Sequence, residues 1–106
     1  MKLIMMIVQD KDVSRLMSAL VKKHIGATKI SSSGGFLRRG NSVLLVGVEE
    51  EQLEETLDIV AHTCKRRKEF VQPISYFGEM DTSSRPLEVE VGGATCFISD
   101  CEVRRY

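Results

Sequence analysis

The sequence has no surplus of either charge. Its 106 residues hold 15 Lys plus Arg against 15 Asp plus Glu, a formal net charge of zero. Domains that hold nucleic-acid polymers by bulk attraction usually show a basic excess, so no such partner is expected. Aromatic residues are only 6%, and tryptophan is absent. RNA-reading sheets stack bases on aromatics of neighbouring strands, and the strand-like stretches here carry one phenylalanine at most. No long hydrophobic run exists. The opening apolar stretch, residues 3–8, is far shorter than the ~20 residues a membrane helix needs. It is followed by Gln9 and Asp10 rather than by a small-residue cleavage site. A buried strand of a cytoplasmic protein, with no membrane insertion, is the expectation. Cysteine is sparse and odd in number: Cys64, Cys96 and Cys101. Their spacing fits neither CxxC nor a zinc finger, so free thiols at apolar positions are expected and a metal site is not. His24 and His62 lack a metal-binding partner at helical spacing. There is no GxSxG, no GxxxxGK[ST] and no recognisable Cys–His or Ser–His arrangement. The chain is therefore expected not to be an enzyme.

What is present is a mixture typical of globular proteins, 42% apolar and 28% charged. The length suits one domain over residues 1–106. A domain so small buries a limited share of its surface, which favours oligomerisation.

Residues 2–9 form a continuous apolar strand pattern, expected to be buried on both faces. Asp10 or Asp12 is placed to cap the helix that follows. Val13, Leu16, Met17, Leu20 and Val21 recur at helical spacing, and Gly26 is expected to end that helix in the left-handed conformation. Residues 27–33 read as a second strand and 42–48 as a third. Glu49, Glu50, Glu51, Glu54 and Glu55 cluster at the start of a second helix, whose apolar face is Leu53, Leu57, Val60, Ala61 and Cys64. Lys65, Arg66, Arg67 and Lys68 fall at its other end, so helix electrostatics accounts for both charge clusters. Residues 69–74 read as a fourth strand, limited to an edge by Pro73. Residues 76–86 are loop-like. Strands at 87–91 and 94–99, separated by Gly92-Gly93, form an added C-terminal hairpin. The order is that of the split βαβ, ferredoxin-like folds (βαββαβ), an α+β class with an antiparallel sheet and two helices on one face. The first strand is apolar toward both faces, so the bare face is expected to pack against other copies.

A ligand is best sought between Thr28 and Gly47. Hydroxyls, the pair Gly34-Gly35, Phe36, Arg38, Arg39 and Asn41 stand together there. Small residues admit an anion close to backbone amides, Phe36 offers a stacking surface, and an arginine can pair with phosphate. A plain hairpin turn explains the glycines equally well. Gly92-Gly93, followed by Thr95 and Phe97, marks either a bend or a second point of close approach.

Four stretches, MKLIMMIVQDKD, ATKISSSGGFLRRGN, LVGVEEEQLEE and PLEVEVGGATCF, together resemble the PII-like cyclic-di-AMP receptors, the bacterial DarA/PstA proteins. The resemblance runs over nearly the whole chain. It implies a PII-like fold and a homotrimer that binds cyclic-di-AMP at its three subunit interfaces. Loop rearrangement would then signal to an unknown downstream protein partner. No cofactor is implied. The resemblance further implies that Thr28 contacts the ligand through its hydroxyl. Gly35, Phe36 and Leu37 would wrap a base, Asn41 would give a polar contact and Gly47 a backbone contact. Phe97 would pack on an adenine, with Gly92 beside it. The chain departs from the family pattern in several places. Gly26 stands where the family commonly has arginine, and Ser32-Ser33 replaces a threonine pair. The loop at 79–85 is shorter, and the tail ends in Glu102-Val103-Arg104-Arg105-Tyr106. Arg38, Arg39 and Arg105 are candidate replacements for the lost charge. Alternative readings are a PII-like module with weakened or different nucleotide preference, or a metal-binding PII-like protein using its cysteines.

Overall fold

The computed structural model describes residues 1–30, 40–71 and 87–106. Its elements are β1 (Lys2–Gln9), α1 (Asp10–Lys22), β2 (Ala27–Ile30), β3 (Asn41–Val48), a 3₁₀ turn at Glu50–Gln52, α2 (Leu53–Thr63), β4 (Arg67–Val71), β5 (Leu87–Val91) and β6 (Ala94–Asp100). The main sheet has the order β2-β3-β1-β6, with every neighbour antiparallel. Helix α1 connects β1 to β2 across β3. The chain from β3 through α2 returns to β6 across β1. This is the expected ferredoxin-like α+β arrangement.

Strand periodicity divides the sheet's side chains cleanly. Ile4, Met6 and Val8 of β1, with Leu44, Val46 and Val48 of β3, are at most 2% exposed. They join Leu16 and Leu20 of α1, Val60 of α2 and Cys64 in one core cluster. Each such side chain stabilises the fold by roughly 1.5–3 kcal/mol through burial. Val13, Leu16 and Leu20 bear out the apolar stripe expected for α1, while Val21 is 62% exposed. On α2 the expected Leu53, Leu57 and Val60 reach the core, joined by Thr56 and Ile59, whereas Ala61 is exposed.

The fourth main-sheet strand is β6, not the segment expected at 69–74. Arg67–Val71 pairs instead with Leu87–Val91 in a separate two-stranded sheet, and residues 72–74 lie outside the described ones. Residues 87–91 and 94–99 therefore do not make a hairpin with each other. The reason is the turn between them. Gly92 and Gly93 have φ of +87° and +84°, a region open to glycine at little cost. They turn the chain from one sheet into the other. The Gly92 N–H donates to Gln9 Oε1 at 2.8 Å, and the Gly93 N–H donates to the Cys64 carbonyl. A Cβ on Gly92 would run into the Lys65 carbonyl oxygen.

Helix termini also differ from expectation. Gln9 is the N-cap of α1 and makes no side-chain cap, while Asp10 and Asp12 lie in the first turn. The left-handed residue beyond α1 is His24, with φ of 59°, not Gly26. Glu49 and Gln52 close a reciprocal capping box at the start of the 3₁₀ turn. Asp12 is fully buried and accepts hydrogen bonds from Arg67 Nη2 at 2.8 Å and Arg15 Nη2 at 3.1 Å. Arg15 Nη2 also donates to the Thr63 carbonyl at 2.9 Å. Lys11 pairs with Glu69. The root of the β4–β5 hairpin is thus tied to α1 by charge. The basic cluster after α2 is accordingly not explained by the helix terminus alone, because Arg67 belongs to β4 and serves Asp12.

Candidate functional site

The face of the sheet away from the core is built from the alternate residues of the same strands. Directly opposed residues on antiparallel strands share a face, so the register defines rows. Thr28, Leu45, Met5 and Phe97 form one row across all four strands. Ile30, Val43, Ile7 and Thr95 form the next, and Gly47, Leu3 and Ser99 lie on the far side of the first. Leu3 and Met5 are each 37% exposed, Ile30 39% and Phe97 53%. Gly47 would meet only the Met1 sulfur, at 3.9 Å, if it carried a Cβ. The face is therefore an apolar floor with a hydroxyl at one edge, a ring at the other and a shallow dip at Gly47.

Thr28 and Phe97 stand on opposite edge strands. At the usual strand spacing they are about 14 Å apart. The sheet aligns them in one row without bringing them into one pocket.

Asn41 and Gly92, in contrast, do come together. They line a polar cleft of about 170 Å³ where the ends of β1, β3 and β6 meet the β5–β6 turn. Gln9, Thr95 and Arg66 share its walls, and Ile7 connects it to the open face. The Asn41 and Gln9 amides and the Thr95 hydroxyl offer both donors and acceptors. Among the described residues no carboxylate lines the cleft, and Arg66 is its charged group. The cleft is smaller than the roughly 300–1,000 Å³ of a complete small-molecule site. It is a subsite, continuous with the apolar floor.

Of the expected ligand residues, Gly35, Phe36 and Leu37 lie outside the described residues, as do Arg38, Arg39 and the 79–85 loop. Thr28, Gly47 and Phe97 share the open face, and Asn41 and Gly92 share the cleft. Arg66 was not foreseen as a site residue. Its signal was the basic cluster at 65–68, which helix electrostatics seemed sufficient to explain.

Two of the three thiols are held in the protonated form. Burial pushes Cys64 up to about 11, with Asp12 adding to the effect, and burial raises Cys96 as well. Both are protonated at neutral pH, whereas the thiolate is the reactive and ligating form. Among the described residues no group of three or more His, Cys, Asp or Glu converges as a metal site. No helix among them is long and apolar enough to cross a membrane.

Comparison with known proteins adds a family to this geometry. The model of the cyclic-di-AMP receptor family matches residues 1–105. The chain belongs to the cyclic-di-AMP receptor family. Among solved structures, the receptor is similar to a functionally unknown protein from Pediococcus pentosaceus. The two are 36% identical with a TM-score of 0.78, over 99% of this chain and 96% of that one. The family carries a ligand class, a purine cyclic dinucleotide.

Proposed function

We propose that this receptor binds cyclic-di-AMP between neighbouring copies of a homotrimer and passes the signal to a protein partner through a loop change, without catalysing a reaction. The observation that carries this reading is the separation of Thr28 and Phe97. One chain offers a ligand hydroxyl at one sheet edge and an adenine-stacking ring at the other, too far apart for one compact nucleotide. Two copies set edge to edge would bring Thr28 of one beside Phe97 of the next. Leu3, Met5 and Ile30 lie exposed on that same face, which favours a closed ring of copies with their sheet faces turned inward, because apolar surface then leaves water. Gly35, Phe36 and Leu37 then wrap a base, Asn41 and Gly92 bound the polar end, and Gly47 lets the ligand approach the backbone.

Calorimetric titration against cyclic-di-AMP, cyclic-di-GMP, ATP and AMP tests the reading. It predicts saturable heat and a raised melting temperature with cyclic-di-AMP. No heat and no melting shift with any of the four contradicts it. Phe36→Ala and Asn41→Ala should weaken binding while the trimer persists.

A second reading, altered or weakened nucleotide preference, is favoured by one observation. Gly26 stands in open space and supplies no guanidinium where the family pattern has arginine. A preference for another of the four nucleotides in the same titration would decide for it.

A further inference from the structure

The charges beyond α2 divide into two sets. Arg67 is committed: it reaches Asp12 at 2.8 Å and Glu69 at 3.2 Å, and its Nη1 donates to the Lys65 carbonyl at 3.1 Å. Lys68 pairs with Glu88 at 3.4 Å. Arg66 takes part in no ion pair among the described residues. Its aliphatic stem lies over Gly93, where a Cβ would come within 3.1 Å of both Cγ and Nε. The spacing is tight, and the φ of +84° at Gly93 favours glycine there as well. The side chain then lines the cleft shared with Asn41, Gln9 and Thr95.

We propose that Arg66 is a ligand-binding residue, supplying the cationic contact to a phosphate of the nucleotide at this cleft. The inference rests on the nucleotide reading above. A guanidinium carries a fixed charge and a planar fork of donors matched to phosphate oxygens. Among the described residues the cleft gives it no carboxylate to neutralise it, and the neighbouring amides and hydroxyl can complete the shell of an oxyanion. Lys65 is the natural control. It adjoins Arg66 in sequence and shares with it a second groove beside Cys64 and Cys96, but it does not line the cleft of Asn41, Gln9 and Thr95.

The test is calorimetric titration of the full-length receptor with cyclic-di-AMP at two salt concentrations, with melting temperature and oligomeric mass as fold controls. Arg66→Ala should lose about tenfold or more in affinity, the scale of one charge-assisted hydrogen bond, and its affinity should depend less on salt. Arg66→Lys should recover part of the loss. Lys65→Ala should bind as wild type does. Should Arg66→Ala fail to fold, Arg66→Gln keeps the stem over Gly93 and should show the same loss. Wild-type binding with unchanged affinity and salt dependence in the Arg66 variants overturns the assignment alone. Equal weakening by Lys65→Ala and Arg66→Ala also overturns it, since the effect would then be a general field. Absence of wild-type binding removes the nucleotide reading, and the assignment with it.

Discussion

The two faces of the main sheet are made from consecutive residues of the same strands, yet they differ in kind. Toward the helices, Ile4, Met6, Leu44 and Val46 are fully buried. On the other side, Leu3 and Met5 remain 37% exposed and Phe97 53%. Their composition is equally apolar, so hydrophobicity alone does not separate them. The separation comes from topology: both crossovers place their helices on one side. One face stabilises the chain, and the other remains available to a neighbour and a ligand.

Substitution of adjacent residues tests that contrast most forcefully. Leu44→Ala empties a fully buried position and should destabilise by about 4 kcal/mol, as large-to-small core changes do, measured by denaturant unfolding. Met5→Glu, on the opposite face, should leave the helical and sheet signal intact and reduce the mass in light scattering toward that of one 11.9 kDa chain. Equal loss of structure in both variants would erase the distinction between the faces.

Next in size is the charged anchor beneath α1. Asp12→Ala removes the acceptor shared by Arg67 and Arg15 and should cost about 3 kcal/mol, the scale for breaking one partner of a buried ion pair. The Asp12 carboxylate holds the Arg67 guanidinium above its ordinary pKa, and the Lys11 ammonium holds Glu69 below its own. A depressed carboxyl contributes stability that is present above its unfolded pKa and lost as pH falls through its folded one. Acid should therefore loosen the hairpin root. Unchanged melting of Asp12→Ala would show that the anchor is dispensable.

Gly92→Ala should cost about 2 kcal/mol or more from its positive φ together with the overlap on the Lys65 carbonyl. Nucleotide affinity should fall further than in a variant equally destabilised in the core, because the cleft and the turn move together. An equal affinity in the two would break the link between turn and site.

The smallest effect is the alkaline one. Cys64 rises from 9.0 to about 11 on folding, so its contribution is full below pH 9 and lost as pH climbs through about 11. Stability should decline across that window, and Cys64→Ala should flatten the decline. The same burial should make Cys64 the slowest of the three thiols toward a disulfide reagent.

Much of this arrangement was legible in the residues, and the exceptions are physical. The unbroken apolar run of β1 called for burial of both faces, but within one chain only the Ile4, Met6 and Val8 side is covered, because both helices lie there and leave Leu3 and Met5 37% exposed. The spacing of Val13, Leu16 and Leu20 foretold the inner face of α1. The partner of β6 was not legible, because strand pairing is non-local, and a Gly-Gly step reads alike as a hairpin or as a corner between sheets. Thr28, Asn41, Gly92 and Phe97 could be named from motif resemblance, but their division between an open row and a separate cleft required the register. Arg66 and Arg67 are neighbours of identical type. Only folding shows that Arg67 is spent on Asp12 while Arg66 faces the cleft.

The central claim is that two copies complete one nucleotide site, and subunit mixing measures it directly. Thr28→Ala and Phe97→Ala are each expected to lose cyclic-di-AMP binding. When the two are unfolded together and refolded as mixed trimers, interfaces that join an intact Thr28 to an intact Phe97 should reappear at roughly a quarter of the total, as random assortment around a cyclic symmetry requires. Recovery of binding at about that level is the predicted result. A mixture that stays as inactive as its parents, although subunits exchange, would show that each chain builds its site alone.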